Sequence, residues 1–299
     1  VTLGFTLIEA VSGVVSHSLA LVSDAGHNFS DALALALAAY ALWMAQRPAT
    51  ARHTYGFHRV AILTALFNAL TLVVIAVLIG TGAIYRLQHP VAIHSAIMIA
   101  VAAIAVVMNT GIAAALSGDA KHSINSRAAF LHMAGDAMSS FAVVVAGIIV
   151  HYTHWLAADP VVSILIAVFI FVSSWTIIRD AGLILMESTP RDVDVEAVIH
   201  AIKSVPQVRN VHDMHVWSVG DGVRMLSCHV GLPEGSTMPQ SANIVRQINE
   251  TLARDFQIGH ATIQTEVESD CEMTEVTDLY CALEPHHAHV HSHSHEHKH

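Results

Sequence analysis

Residues 22–37 read VSDAGHNFSDALALAL. The second half is apolar, and the apolar character runs on to Ala45, yet the first half carries Asp24, His27 and Asp31. About 20 consecutive apolar residues suffice for a helix to cross a bilayer. Ionisable residues inside such a span are costly and rare, and they face a bundle interior or a water-filled cavity. The string therefore combines a membrane signal with a polar constellation that needs a purpose.

Composition supports the membrane reading. The 299 residues are 54% hydrophobic and 13% charged, with a mean hydropathy of +0.53, whereas soluble domains carry about 25% charged residues. Residues 1–187 hold seven Lys/Arg and eight Asp/Glu, a net of −1; residues 188–299 hold seven and sixteen, a net of −9. The shift near Glu187 separates a lipid-embedded part from a water-exposed one. An acidic soluble part argues against nucleic acid and suits cation handling. Cys228, Cys271 and Cys281 form no CxxC pair and no disulfide framework. No stretch resembles a cleavable signal peptide.

Six apolar stretches are candidate membrane helices: roughly 1–16, 20–45, 60–86, 91–117, 124–151 and 157–182. The first is short, as expected if residues precede Val1. Arg47, Arg52 and Arg59 lie in the 2–3 connection, Lys121 and Arg127 in the 4–5 connection, and Arg179 and Arg191 at the exit of the sixth stretch. The alternate connections hold only Arg86. The positive-inside rule then puts both termini in the cytoplasm of a multi-pass protein of the cell (inner) membrane.

Residues 188–268 read as a small α/β domain in the order αββαβ. Asp221-Gly222 is a hairpin signal between two strand-like runs. Residues 269–299 read as an acidic tail ending in HHAHVHSHSHEHKH, a low-complexity, metal-buffering type of segment. The architecture expected is thus three-part: membrane domain 1–187, cytoplasmic domain 188–268, tail 269–299.

His27 and Asp31 are four apart, so they stack on one helix face. In FLHMAGDAMSS, His132 and Asp136 repeat that spacing. Two imidazoles and two carboxylates suit tetrahedral Zn²⁺, and the carboxylates neutralise its charge in the membrane. One such residue alone would read as a helix–helix hydrogen bond; two matched pairs do not. Protons and metal compete for imidazole near its unperturbed pKa of about 6.5, which is the chemistry of metal/proton exchange, with the two His and an Asp as proton carriers. Asp24 reads as a helix-start cap. Glu9, Asn68 and Asn109 read as packing or hydration contacts.

The strings SLALVSDAGHNFSDALALA, HTYGFHR, FLHMAGDAMSS, LMESTP and VHDMHVWSV resemble those of the cation diffusion facilitator family, in its zinc-exporting branch, from Val1 to about Glu268. The resemblance implies a homodimer with six membrane helices per subunit, a cytoplasmic ferredoxin-like domain, and exchange of cytosolic Zn²⁺ for protons. It makes His27, Asp31, His132 and Asp136 the transport site, with His at position 27 as in members that favour Zn²⁺ over Cd²⁺. It also implies a second zinc in the 2–3 loop, where His53 and His58 stand; a solvated histidine pair is the other reading, and Thr50 occupies a position where some members place an Asp ligand. An Arg59–Glu187 ion pair would tie the third helix to the end of the sixth.

In the α/β domain a two-residue turn at Asp221-Gly222 pairs Met214 with His229 and makes His212 its diagonal neighbour. Glu266 on the last strand joins them if that strand lies alongside, and the resemblance supports a regulatory or structural Zn²⁺ there. Strict alternation turns His215 to the opposite face, beside Cys228. Two other functions use the same features: an intramembrane zinc enzyme, which would want H-E-x-x-H and an open coordination position, and a membrane metal sensor. The apolar stretches contain no such motif; the string that matches it, HEHKH at 295–299, lies in the low-complexity His-rich tail.

Overall fold

Helix α1 (Thr2–Ser16) and the five that follow are α2 (Leu19–Ala45), α3 (Arg59–Gln88), α4 (Ser95–Leu116), α5 (Ile124–Thr153) and α6 (Ala158–Leu185). They belong to a computed structural model that describes residues 2–117, 124–220 and 222–267. The chain divides into two compact units, 1–186 and 187–299. The tail, Cys271 and Cys281 lie outside the described residues.

Five helices of the first unit are long and apolar enough to cross a membrane; α1 is a shorter apolar helix. Their outward faces carry large apolar side chains such as Leu35, Phe67, Val107, Phe141 and Phe169, all more than half exposed. Such a surface is stable in lipid and not in water. The interior uses small residues instead: Ala20, Ala76, Ala102, Ala146 and Ala167 are buried. Small residues let helix backbones approach closely where no hydrophobic effect drives association. Gly147 shows the tightness, since a Cβ there would stand 2.7 Å from Ile99 Cγ1 of α4.

The start of α2 is fixed by α6. Asp159, fully buried, accepts from the Leu19 and Ala20 backbone N–H groups at 2.9 and 3.2 Å and from Ser18 Oγ at 2.5 Å. Ser18 is the N-cap, its hydroxyl accepting from Leu21 N–H at 3.1 Å. The orphan donors of the helix are therefore satisfied before Asp24 is reached. Asp24 sits in the second turn, so it is not the cap its sequence position implied.

The second unit is α7 (Val195–Lys203), β1 (Asn210–Gly220), β2 (Val223–Leu232), α8 (Met238–Phe256) and β3 (Ile258–Val267). The sheet order is β1-β2-β3, with β1 and β2 antiparallel and β2 and β3 parallel. The parallel pair requires a crossover, and α8 supplies it. Val198 and Ile202 of α7 and Ile244, Ile248 and Leu252 of α8 pack with Met214, Leu226 and Val230 of the sheet in one core.

Candidate metal centres

Helices α2 and α5 bring the two H-x-x-x-D pairs together. His27 Nε2 lies 3.7 Å from Asp31 Oδ2 and 3.5 Å from Asp136 Oδ1. His132 Nε2 lies 3.6 Å from Asp31 Oδ2 and 3.7 Å from Asp136 Oδ2. Each imidazole thus faces both carboxylates, and the rings stand edge to face with centroids 6.4 Å apart. Donors around a tetrahedral zinc with bonds of 2.0–2.1 Å are about 3.3–3.4 Å apart. His27, Asp31 and Asp136 offer ligand atoms that all lie within 4.8 Å of one another, and His132 faces both carboxylates from outside that group.

One donor oxygen of the set and the far ring nitrogen of His27 have no hydrogen bond. His27 Nδ1 and Asp31 Oδ2 are buried with no hydrogen-bond partner among the described residues, and an unsatisfied buried polar atom costs about 1–3 kcal/mol. Asp136 is buried, whereas the His132 side chain is 45% exposed. The site is closed on the Asp136 side and accessible beside His132.

Around it runs a polar network that sequence reasoning passed over. Ser139 Oγ donates to Asp24 Oδ1 and Ser140 Oγ to Asp24 Oδ2, both at 2.6 Å, linking α5 to α2. Asn28 Nδ2 donates to Glu9 Oε2 of α1 at 2.9 Å. The available signal was the match between Asp24, three before His27, and the Ser139-Ser140 pair, three and four after Asp136. Asn68 is buried with Oδ1 unpartnered among the described residues.

The other expected positions fall as follows. His53 exchanges backbone hydrogen bonds with Thr50, at 3.1 and 3.0 Å, and stacks near Phe57. His58 directly precedes α3. Neither belongs to a group of three metal-ligating side chains among the described residues. Arg59 opens α3, and Glu187 follows α6 with a φ of +57°.

In the α/β unit, His212 Nε2 lies 3.2 Å from Glu266 Oε2, and His229 Nδ1 lies 2.9 Å from Glu266 Oε1. These three offer ligand atoms within 4.8 Å of one another. The expected trio converges, but by a different register. His212, not Met214, pairs with His229, because β1 has irregularities between His212 and His215 and between Ser218 and Gly220. At the first, Asp213 adopts a φ of +46°. The extra residue breaks the alternation: Met214 turns into the core, while His212, Asp213 and His215 share the outer face.

The expectation that His215 faces the other way, beside Cys228, is therefore wrong. His215 Nε2 lies 3.0 Å from Asp213 Oδ1, and Asp213 Oδ2 lies 3.7 Å from His229 Nε2. Cys228 is buried in the core, and its thiol is pushed up to about 12 by burial and then by Asp213.

An apolar multi-helix unit enclosing four N/O donors, joined to an α/β unit with a second N/O set, defines a membrane protein that handles a cation. The cation efflux transmembrane domain matches residues 1–186, and the cation efflux protein cytoplasmic domain matches residues 190–268. The chain belongs to the cation efflux, or cation diffusion facilitator, family. Among its relatives, the Escherichia coli zinc transporter ZitB is 37% identical, with 92% of this chain and 88% of that protein covered. A cadmium, cobalt and zinc/H⁺–K⁺ antiporter of Bacillus subtilis is 36% identical over 89% and 86%. The metal cation efflux system protein CzcD of Cupriavidus metallidurans is 34% identical over 93% and 87%.

Proposed function

We propose that this protein exports Zn²⁺ from the cytoplasm in exchange for protons, with Cd²⁺ and Co²⁺ as further substrates. The observation that carries the reading is the four-donor arrangement of His27, Asp31, His132 and Asp136. Each imidazole faces both carboxylates, and Asp31 Oδ2 is buried with no hydrogen-bond partner among the described residues.

Zinc reaching the site from the cytoplasm displaces protons from the imidazoles, because only neutral imidazole ligates. Two carboxylates cancel its charge, so the loaded site is far cheaper in the membrane than a bare dication. When the site faces outward at lower pH, protons reclaim the imidazoles and the ion leaves. Alternating access coupled to this competition converts a proton gradient into zinc export. Four protein ligands leave no open position for a bound water, which favours carriage over hydrolysis. In this reading the chain is an inner-membrane homodimer with cytoplasmic termini, and His212, His229 and Glu266 hold a resident or regulatory zinc.

The test is zinc uptake into proteoliposomes under an imposed pH gradient. Wild type should take up zinc only with the gradient, and Asp31→Ala should fall to the level of empty vesicles. Unchanged uptake in Asp31→Ala, or none in wild type, sinks the proposal.

A further inference from the structure

We infer that His17 and His94 form a two-imidazole site for a divalent transition cation such as Zn²⁺, at the end of the helical unit where α1 meets α2 and α4 begins. The pair is separate from the two donor sets above, and it stands whether or not the helical set carries an ion.

Both positions are helix ends where another residue would serve the backbone better. Helix α1 closes on a Schellman turn: His17 N–H donates to Val14 O at 3.2 Å and Ser18 N–H to Gly13 O at 3.0 Å, with His17 at a φ of +55°. That left-handed position favours glycine, and a β-carbon strains it. His94 is the N-cap of α4, where Ser, Thr, Asp or Asn would accept from a backbone N–H, yet its ring caps nothing. An imidazole at either place gives the backbone no advantage, so its use lies in the ring.

The two rings lie close to each other, with centroids 6.2 Å apart and planes tilted by 30°. That spacing falls between the 5.2 Å of His212 and His229 and the 6.4 Å of His27 and His132. Both residues are exposed, and neither ring has a hydrogen bond or ion pair among the described residues. Other histidines of the neighbouring turns are engaged differently. His89 Nδ1 lies 3.2 Å from Tyr85 O with its ring stacked on Tyr85, and His151 Nδ1 lies 3.1 Å from Ser95 Oγ.

The backbone holds the pair in register. His94 N–H donates to Ser16 O at 2.9 Å, which ties the start of α4 to the end of α1. Arg86 of α3 donates from Nη1 to His17 O at 2.5 Å, and its charge is offset by buried Asp159, 3.8 Å away. The rings therefore project from anchored segments, and the nearby guanidinium is already paired. Imidazole suits zinc, copper and nickel. Two protein nitrogens leave the remaining coordination positions to water, so the ion exchanges readily. In the orientation proposed above, this end faces away from the cytoplasm, where an exported ion emerges.

The experiment uses the full-length protein in detergent, zinc as the probe, and diethylpyrocarbonate labelling of each histidine read by mass spectrometry. In wild type, zinc should suppress labelling of His17 and His94 several-fold, with one shared midpoint. His17→Gly keeps the left-handed turn and should unfold no more easily than wild type, yet His94 should then label equally with and without zinc. In His94→Ala the same should hold for His17. Asp31→Ala should leave the protection of both residues intact. Failure of zinc to protect either residue in wild type overturns the site, as does protection of His94 that survives His17→Gly. Protection that vanishes in Asp31→Ala overturns it too, because the effect would then be a change of shape driven from the helical set. Protection that persists in Asp31→Ala, beside wild-type vesicles that take up no zinc, keeps the site and sinks only the transport reading.

Discussion

The two donor sets of this chain use the same chemistry in opposite states of satisfaction. In the helical set the nitrogens and oxygens stand 3.5–3.7 Å apart, and His27 Nδ1 and Asp31 Oδ2 are buried without partners among the described residues. In the strand set Glu266 already engages both imidazoles, at 3.2 and 2.9 Å. A set held open on rigid helices gains on receiving any cation, proton or metal, and so can exchange one for the other. A set closed by its own hydrogen bonds yields them only to a ligand that binds more tightly. The first suits an ion in transit, the second an ion that stays.

The sharpest way to break this contrast is to remove one carboxylate from each set. Asp136→Ala should lower zinc flux by about 100-fold or more, since it takes two of the four donor contacts from the imidazoles. Glu266→Ala should lower flux by less than about fivefold, while abolishing zinc binding by the α/β unit. Flux in proteoliposomes and zinc titration of the same preparations check both. Equal losses would mean that the strand set also carries the ion.

Acidity should separate the sets next. Zinc and protons compete for imidazole nitrogens, so zinc affinity at the helical set should fall as pH drops from 7.5 to 5.5. Zinc titration of Glu266→Ala, which loses the strand set, measures this. A flat affinity over that range would remove proton competition from the mechanism.

The contrast also explains what could be read from the sequence. Helical spacing is rigid: residues four apart lie on one face whatever the neighbours do. His27, Asp31, His132 and Asp136 were legible for that reason, as were the long apolar helices. A strand has no such guarantee. The trio His212, His229 and Glu266 was named correctly, but through a Met214–His229 register that two irregularities in β1 displace. Asp24 misled for another reason. Its role depends on Asp159 and on Ser139-Ser140, residues more than a hundred positions away that no local rule connects to it. Glu9 was legible as polar, but not as a partner of Asn28.

The irregularity itself can be tested. Asp213 has a φ of +46°, a region that aspartate tolerates and β-branched residues avoid. Asp213→Val should destabilise the α/β unit by about 2 kcal/mol, and Asp213→Gly should not. Denaturant unfolding compares the variants. If Val were as stable as Gly, another contact would be holding the two histidines on one face.

Cys228 gives the smallest effect and asks whether the strand set is purely nitrogen and oxygen. It neighbours His229 in β2 but lies buried in the core. Metal ligation requires thiolate, and this thiol is pushed up to about 12 by burial first and by Asp213 second. With Cys271 and Cys281 replaced by Ser, the folded protein should resist alkylation at pH 8. The linkage has a definite sign. A pKa raised in the folded state means that the fold prefers the protonated thiol. Its contribution is fully present below the ordinary thiol range near pH 9 and is lost as pH climbs towards 12. At pH 10 the loss is on the order of 1 kcal/mol, and Cys228→Ala should abolish that decline. Rapid alkylation at pH 8, or a decline that survives Cys228→Ala, would return a sulfur donor to reach of the strand set and weaken its distinction from the helical one.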